Sequence, residues 1–170
     1  MLIGSKQSFA EIKMGIGSSI TTFLSFGSNG TTNSINTISL PLKFNNNIMI
    51  EPELIYLDSD KTDSDGDKTT TNTKGLRIGM FFFVNSESRI RPYFGGKIGI
   101  SKYESKRTFS SSNFNLEDNE THKFISPTIG AEVEIIENFS IATEIAFTYA
   151  KSDEETSINT DSRLMVRVFF

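Results

Sequence analysis

The sequence has a single histidine, His122, and a serine, Ser126, follows it by four positions. A histidine beside a hydroxyl is the beginning of an acyl-transfer site, with base and nucleophile in contact. On an extended chain that spacing puts both side chains on one face but about 13 Å apart along it. Direct proton transfer is strained over that length, so His122 reads as a bystander at a loop rim and the chain is not expected to be an enzyme. The sequence contains no cysteine. Disulfides, thiolate metal sites and thiol catalysis are therefore excluded, and one histidine cannot form a histidine cluster. No cofactor is expected.

A second group with chemical potential is DSDKTDSDGDK (58–68), which offers Asp58, Asp60, Asp63, Asp65 and Asp67. Clustered carboxylates suit hard cations such as Ca²⁺. Gly66, however, is out of step with the D-x-[DN]-x-[DN]-G order of an EF-hand loop. The segment reads as a solvated external loop, with weak cation binding as the alternative.

The third group is the largest. Glu11, Lys13, Lys43, Glu51, Glu53, Arg77, Arg91, Lys97, Glu132, Glu134, Glu144, Arg163 and Arg167 all take one phase of an alternating pattern, six acids against seven bases. The other phase holds uncharged residues, among them Ile12, Met14, Leu54, Leu76, Ile98, Ile129 and Phe147. The terminal stretch SRLMVRVFF shows the pattern most plainly: Leu164, Val166, Val168 and Phe170 share one side, Arg163 and Arg167 the other. Charges held together in an interior must form a paired, hydrogen-bonded network. Long Arg, Lys and Glu side chains in a narrow space favour a plug over a conduit for ions or protons.

The elements that carry these residues are strands, because period-two alternation recurs and helical periodicity does not. Strands are predicted near 9–25, 34–44, 48–57, 73–84, 89–103, 122–136, 139–150 and 160–170, the core segment of each about as long as the ~9–11 tilted residues that cross a bilayer. Their connections alternate in size. NNN (45–47), NSES (85–88) and EN (137–138) are tight turns, and GSNGTT, DSDKTDSDGDKTTTN (58–72), SKYESKRTFSSSNFNLEDNE (101–120) and KSDEETSINT (151–160) are long. Short connections on one rim and long on the other is the habit of outer-membrane barrels. Pro41, Pro52, Pro92 and Pro127 fall inside strands and are expected at bulges or rims. At 170 residues the chain has the length of one domain, 1–170, and a net charge of −4 gives no basic surface for nucleic acid. MLIGSKQ lacks the pattern of an export leader, which is expected to have been removed.

Glycine decides which phase faces inward. Gly15, Gly17, Gly75, Gly79, Gly95, Gly99 and Gly130 share the charged phase, and Gly96 lies on the other. A lipocalin-like barrel would turn the charged phase to water, where glycine only weakens strands. An eight-stranded lumen is just wide enough to be filled, so small residues are needed there. The charged face is the inside, and the apolar face meets lipid.

IEPELIY (50–56), RPYFGGKIGI (91–100), SPTIGAEVEI (126–135) and the terminal RLMVRVFF together resemble the small eight-stranded outer-membrane proteins of Gram-negative bacteria, the OmpA-barrel and OmpX-like group. The resemblance implies an all-β, eight-stranded antiparallel up-and-down transmembrane β-barrel, monomeric, in the bacterial outer membrane. It implies lipid and lipopolysaccharide as surroundings, and a role in envelope structure or surface interaction through four long external loops. It further implies that Phe170, a terminal aromatic after alternating apolar residues, is the signal read by the barrel-assembly machinery. Two rivals stay open. One is a small pore; the other is a lipid-modifying hydrolase, since the lipid A deacylase barrel carries a His-x-Ser pair, a spacing that His122 and Ser126 do not reproduce.

Overall fold

The computed structural model describes residues 12–24, 34–44, 47–64, 66–84, 89–109, 115–153 and 155–170. Its strands, in chain order, are β1 (Ile12–Leu24), β2 (Ser34–Ser39), β3 (Leu42–Phe44), β4 (Ile48–Thr62), β5 (Lys68–Phe83), β6 (Ile90–Thr108), β7 (Asn115–Ile136), β8 (Phe139–Lys151) and β9 (Thr156–Phe169). Each pairs antiparallel with its neighbour, and β9 returns to β1 from Gly15↔Phe169 to Leu24↔Thr160. Because β2 and β3 lie end to end between β1 and β4, the sheet is a closed barrel of eight staves. Closure leaves no free edge, which is the condition for a sheet to sit in lipid.

Pro41 divides the second stave. It has no N–H to give the ladder, yet its carbonyl still accepts from the Gly15 amide at 2.9 Å. Register with β1 continues unchanged from Ile12↔Phe44 to Gly17↔Ser39. Pro52 and Pro92 keep their registered partners, Ile78 and Ala131. The β7–β8 ladder skips Ser126 and Pro127 without a shift. Of the two placements expected, bulge or rim, none of the four prolines takes the bulge and the register beside each is intact, whereas Pro92, the third residue of β6, lies near the short-turn rim. The shift that does occur, between Glu134 and Ile136, precedes the tight turn at Glu137 and Asn138, where Asn138 takes a φ of 68°. Asparagine tolerates that left-handed conformation better than most residues.

The strands run well past the predicted boundaries. β4 and β5 stay paired to Thr62↔Lys68, β6 and β7 to Thr108↔Asn115, and β8 and β9 to Lys151↔Thr156. Most of three stretches expected as long loops is thus hairpin, and β7, with 22 residues, extends for about 70 Å. Apart from the exposed Leu116 and Ile158, these outer segments are largely polar on both faces, so they carry no apolar alternation. Threonine-rich stretches and cross-strand ion pairs such as Lys106–Glu117 (3.0 Å) hold them together. The connection containing GSNGTT and the turn NSES lie outside the described residues.

Candidate functional site in the barrel interior

The pleat of each strand sorts its side chains. Ile16, Ile38, Leu54, Leu76, Ile98, Ile129 and Leu164 on the outer phase are all more than half exposed. Their inward neighbours are buried. Among the described residues, the buried charges are Glu51, Glu53, Glu132, Glu144 and Asp161 against Lys43, Arg77, Lys97, Arg163 and Arg167, five of each sign.

Nine of the ten form one connected chain across the bore; Asp161, bonded to Thr148, stands apart from it. Glu53 of β4 receives Arg77 of β5, Arg163 of β9 (3.3 Å) and Lys97 of β6 (2.7 Å). Lys97 also donates to Glu144 of β8 at 2.7 Å. Glu144 accepts from the Tyr93 hydroxyl at 3.0 Å and lies 3.6 Å from Arg167. Arg167 grips Glu51 with two parallel bonds of 2.9 and 2.8 Å and reaches Glu132 of β7 at 3.2 Å. Lys43 of β3 completes the chain on Glu132. A bidentate guanidinium with a third carboxylate satisfies most of its donors. Such satisfaction offsets a desolvation cost of several kcal/mol per buried ion.

β1 brings glycine to this layer instead of charge. A Cβ on Gly17 would lie 3.3 Å from Arg167 Cγ, one on Gly79 2.6 Å from the Phe81 ring, and one on Gly130 2.6 Å from Tyr93 Cζ. The glycines are the hollows into which the long side chains fit. On the outer phase, a Cβ on Gly96 would meet only ordinary contacts, 3.5 Å at nearest.

Toward the short turns, interleaved with the Lys43, Glu132 and Arg167 part of the network, Met49, Phe81, Phe83, Tyr93, Ala142 and Met165 form an apolar cluster within the lumen. Phe81 meets Tyr93 edge-on at 5.4 Å, and the Lys43 ammonium lies 4.3 Å from the Phe169 ring centroid. Lys13 and Arg91 are half-buried and Glu134 is exposed; they ring a cavity of about 20 Å³ at the mouth. Glu134 therefore lies outside the buried layer in which its strand phase placed it, because β7 ends there. Glu11 lies outside the described residues.

Above the network the wall changes to hydroxyls. Thr21, Thr73, Ser101, Ser126, Thr148 and Ser157 surround a cavity of about 250 Å³ that also touches Arg77, Asp161, His122, Phe124 and Ile55. His122 lies here, inside the barrel, with Nε2 3.0 Å from Glu120. The Ser126 hydroxyl is bonded to Thr148 at 2.8 Å, not to the histidine. Asp161 and Tyr93 were missing from the sequence-derived set. Asp161 precedes Arg163 by two residues, so alternation alone was signal enough for it; Tyr93 carries no charge to draw attention.

The acidic segment is drawn into side-chain pairs. Asp60 binds Lys68 at 2.9 Å and accepts from the Thr70 hydroxyl at 2.7 Å, and these two bonds, Thr70 first, hold its carboxyl below the usual aspartate range. Asp63 and Asp67 share the Arg107 guanidinium at 3.7 and 3.3 Å, and Asp58 is exposed opposite Asn72. Asp65 lies outside the described residues. Among the described residues no group of three or more His, Cys, Asp or Glu could hold a metal ion.

The family model of the outer membrane protein beta-barrel domain matches residues 4–169. Among solved structures, the chain is similar to Neisserial surface protein A (NspA), with 12% identity, a TM-score of 0.64 and coverage of 95% of this chain and 99% of that one. It is also similar to Ail, the attachment invasion locus protein of Yersinia pestis, with 14% identity, a TM-score of 0.61 and 94% and 97% coverage, in a complex with the heparin analogue sucrose octasulfate. The N-terminal β-barrel domain of Pseudomonas aeruginosa OprF aligns with 13% identity, a TM-score of 0.54 and 95% and 100% coverage. No curated protein sequence matches the chain.

Proposed function

Because the chain belongs to the outer membrane protein beta-barrel domain family, whose model covers residues 4–169, we propose that it is a sealed barrel serving envelope structure and surface interaction. It lies in the bacterial outer membrane, where its apolar belt contacts the bilayer. The observation that carries the reading is the interior. A connected network of nine buried charges, interleaved with an apolar cluster at the short-turn end, favours a plug over a pore. What remains for contact with other molecules is the long-hairpin rim, the external side in barrels of this kind. That Ail was solved with a heparin analogue supports a search for surface ligands at this rim. His122 and Ser126, inside the barrel and engaged with Glu120 and Thr148, give no support to a lipid-modifying hydrolase.

In planar bilayers, pure protein is expected to give no resolved channels. A variant in which residues 59–71 become a short turn should still give a folded, heat-modifiable band and should lose cell-surface adhesion. Stable channels from the intact protein would overturn the seal, and unchanged adhesion would remove this hairpin from the contact surface.

Lipopolysaccharide is the partner that the outer wall suits best. Lys74 stands directly opposite Lys102, and Lys123 opposite Lys151, all exposed and one outward step beyond Leu76, Ile100, Ile125 and Tyr149. Like charges directly opposite are destabilising on their own, and Glu104, 2.6 Å from Lys102, relieves only one pair. Phosphate groups at the level of the headgroups would relieve both. Changing all four lysines to glutamine should lower thermal stability in lipopolysaccharide and leave or raise it in neutral detergent; an equal change in both media would count against the contact. The exposed terminal Phe170 is the candidate assembly signal.

A further inference from the structure

The hydroxyl-walled cavity above the charge network contains three polar atoms that the network does not explain. Arg77 uses Nε on Glu53 but has no partner for Nη2, Asp161 accepts from Thr148 on Oδ2 (2.7 Å) but has none for Oδ1, and Thr21 has none for Oγ1. All three residues are more than nine-tenths buried, and all three line the same cavity. An orphaned buried donor or acceptor costs about 1–3 kcal/mol. Orphans of both kinds facing one space define the ligand that would relieve them.

We propose that this cavity is a binding site for a neutral polyhydroxylated ligand, a single sugar ring. The sign pattern selects neutrality. A cation entering would meet Arg77, an anion would meet Asp161, and the buried charges already balance five against five. A hydroxyl group suits both at once, accepting from the guanidinium and donating to the carboxylate. The size excludes a single ordered water as the occupant, since one water needs only ~10–15 Å³ and the cavity has about 250 Å³. Its apolar side, Phe124, Ile55 and Ala150, gives the C–H face of a sugar ring a surface that bulk-like water would leave unsatisfied. The network is the floor, so the site is a blind cup and is compatible with a sealed bore.

The test is titration of glucose and of N-acetylglucosamine into the detergent-folded barrel, read by amide chemical shifts. Saturable shifts at Thr21, Ser101, Thr148 and Asn159 are expected. Thr21→Val and Asp161→Leu should each weaken binding about tenfold, the equivalent of one hydrogen bond. If Asp161→Leu fails to fold, Ser157→Phe, which narrows the mouth from an exposed wall position, should abolish the shifts while leaving the spectrum folded. No saturable response to either sugar would leave a water-filled cavity and overturn the proposal. So would shifts confined to the hairpin tips, or tighter binding of glycine zwitterion or inorganic phosphate.

Discussion

Arg167 is the residue on which most of the interior depends. It is fully buried, holds Glu51 by two bonds, touches Glu132 and lies near Glu144. Arg167→Ala would leave at least one carboxylate buried without its cation. A destabilisation of about 3–5 kcal/mol is expected, the usual range when one partner of a buried pair is removed. Urea titration in detergent checks this, and a midpoint unchanged from wild type would show that the carboxylates find other partners. Arg167→Met with Glu51→Gln should cost less than the single truncation, since both charges leave together. Much of this was legible in the sequence because charge and strand phase coincide: Glu51, Glu53, Arg77, Lys97, Glu132, Glu144, Arg163 and Arg167 differ from their apolar neighbours in both. The pairings were not legible. Glu53 and Arg163 are 110 positions apart, and only barrel closure brings them to 3.3 Å.

At the scale of elements, the membrane-crossing half of each strand was readable and the outer half was not. Alternation is a signal only where the two faces meet different media. Around Thr69 to Thr73 and Lys102 to Arg107 both faces are polar, so strand and loop look alike in sequence, although both segments are paired. The reverse holds at Pro41, where composition argued for a defect and the neighbouring pairs hold the register. The last strand has a separate question. Phe169 is buried against Lys43, whereas Phe170 is 70% exposed, its amide bonded to the Met14 carbonyl at 2.8 Å. Removing Phe170 deletes one outward aromatic and one backbone bond, a cost of about 1.5–3 kcal/mol at most for the side chain. The shortened chain should refold in detergent and assemble poorly in cells. Wild-type surface levels in vivo would defeat the targeting role, and failure to refold in vitro would make the residue's contribution structural.

For the whole molecule, the outer wall is the property from which the rest follows. Water on that wall would face an apolar patch around the full circumference, far beyond the few hundred Å² that soluble proteins tolerate. Lipid makes the same wall favourable and forces the charges inward, where a paired and balanced set is the arrangement with few unpaired groups. This order of causes can be tested without touching the interior. β6 presents Ile90, Phe94, Ile98, Ile100 and Lys102 outward from one rim to the other, all exposed. In phospholipid bilayers, Ile98→Arg, near the middle of that series, should cost about 2–4 kcal/mol, and Ile90→Arg, at its short-turn end, about 0–1. The difference arises because a guanidinium near the rim reaches the headgroups, whereas one at mid-depth must draw water into hydrocarbon. In detergent micelles, which deform around a charge, the two costs should converge. A flat profile in bilayers would mean that the belt is not centred on the hydrocarbon layer, and the assignment of lumen and lipid faces would have to be reconsidered from that point.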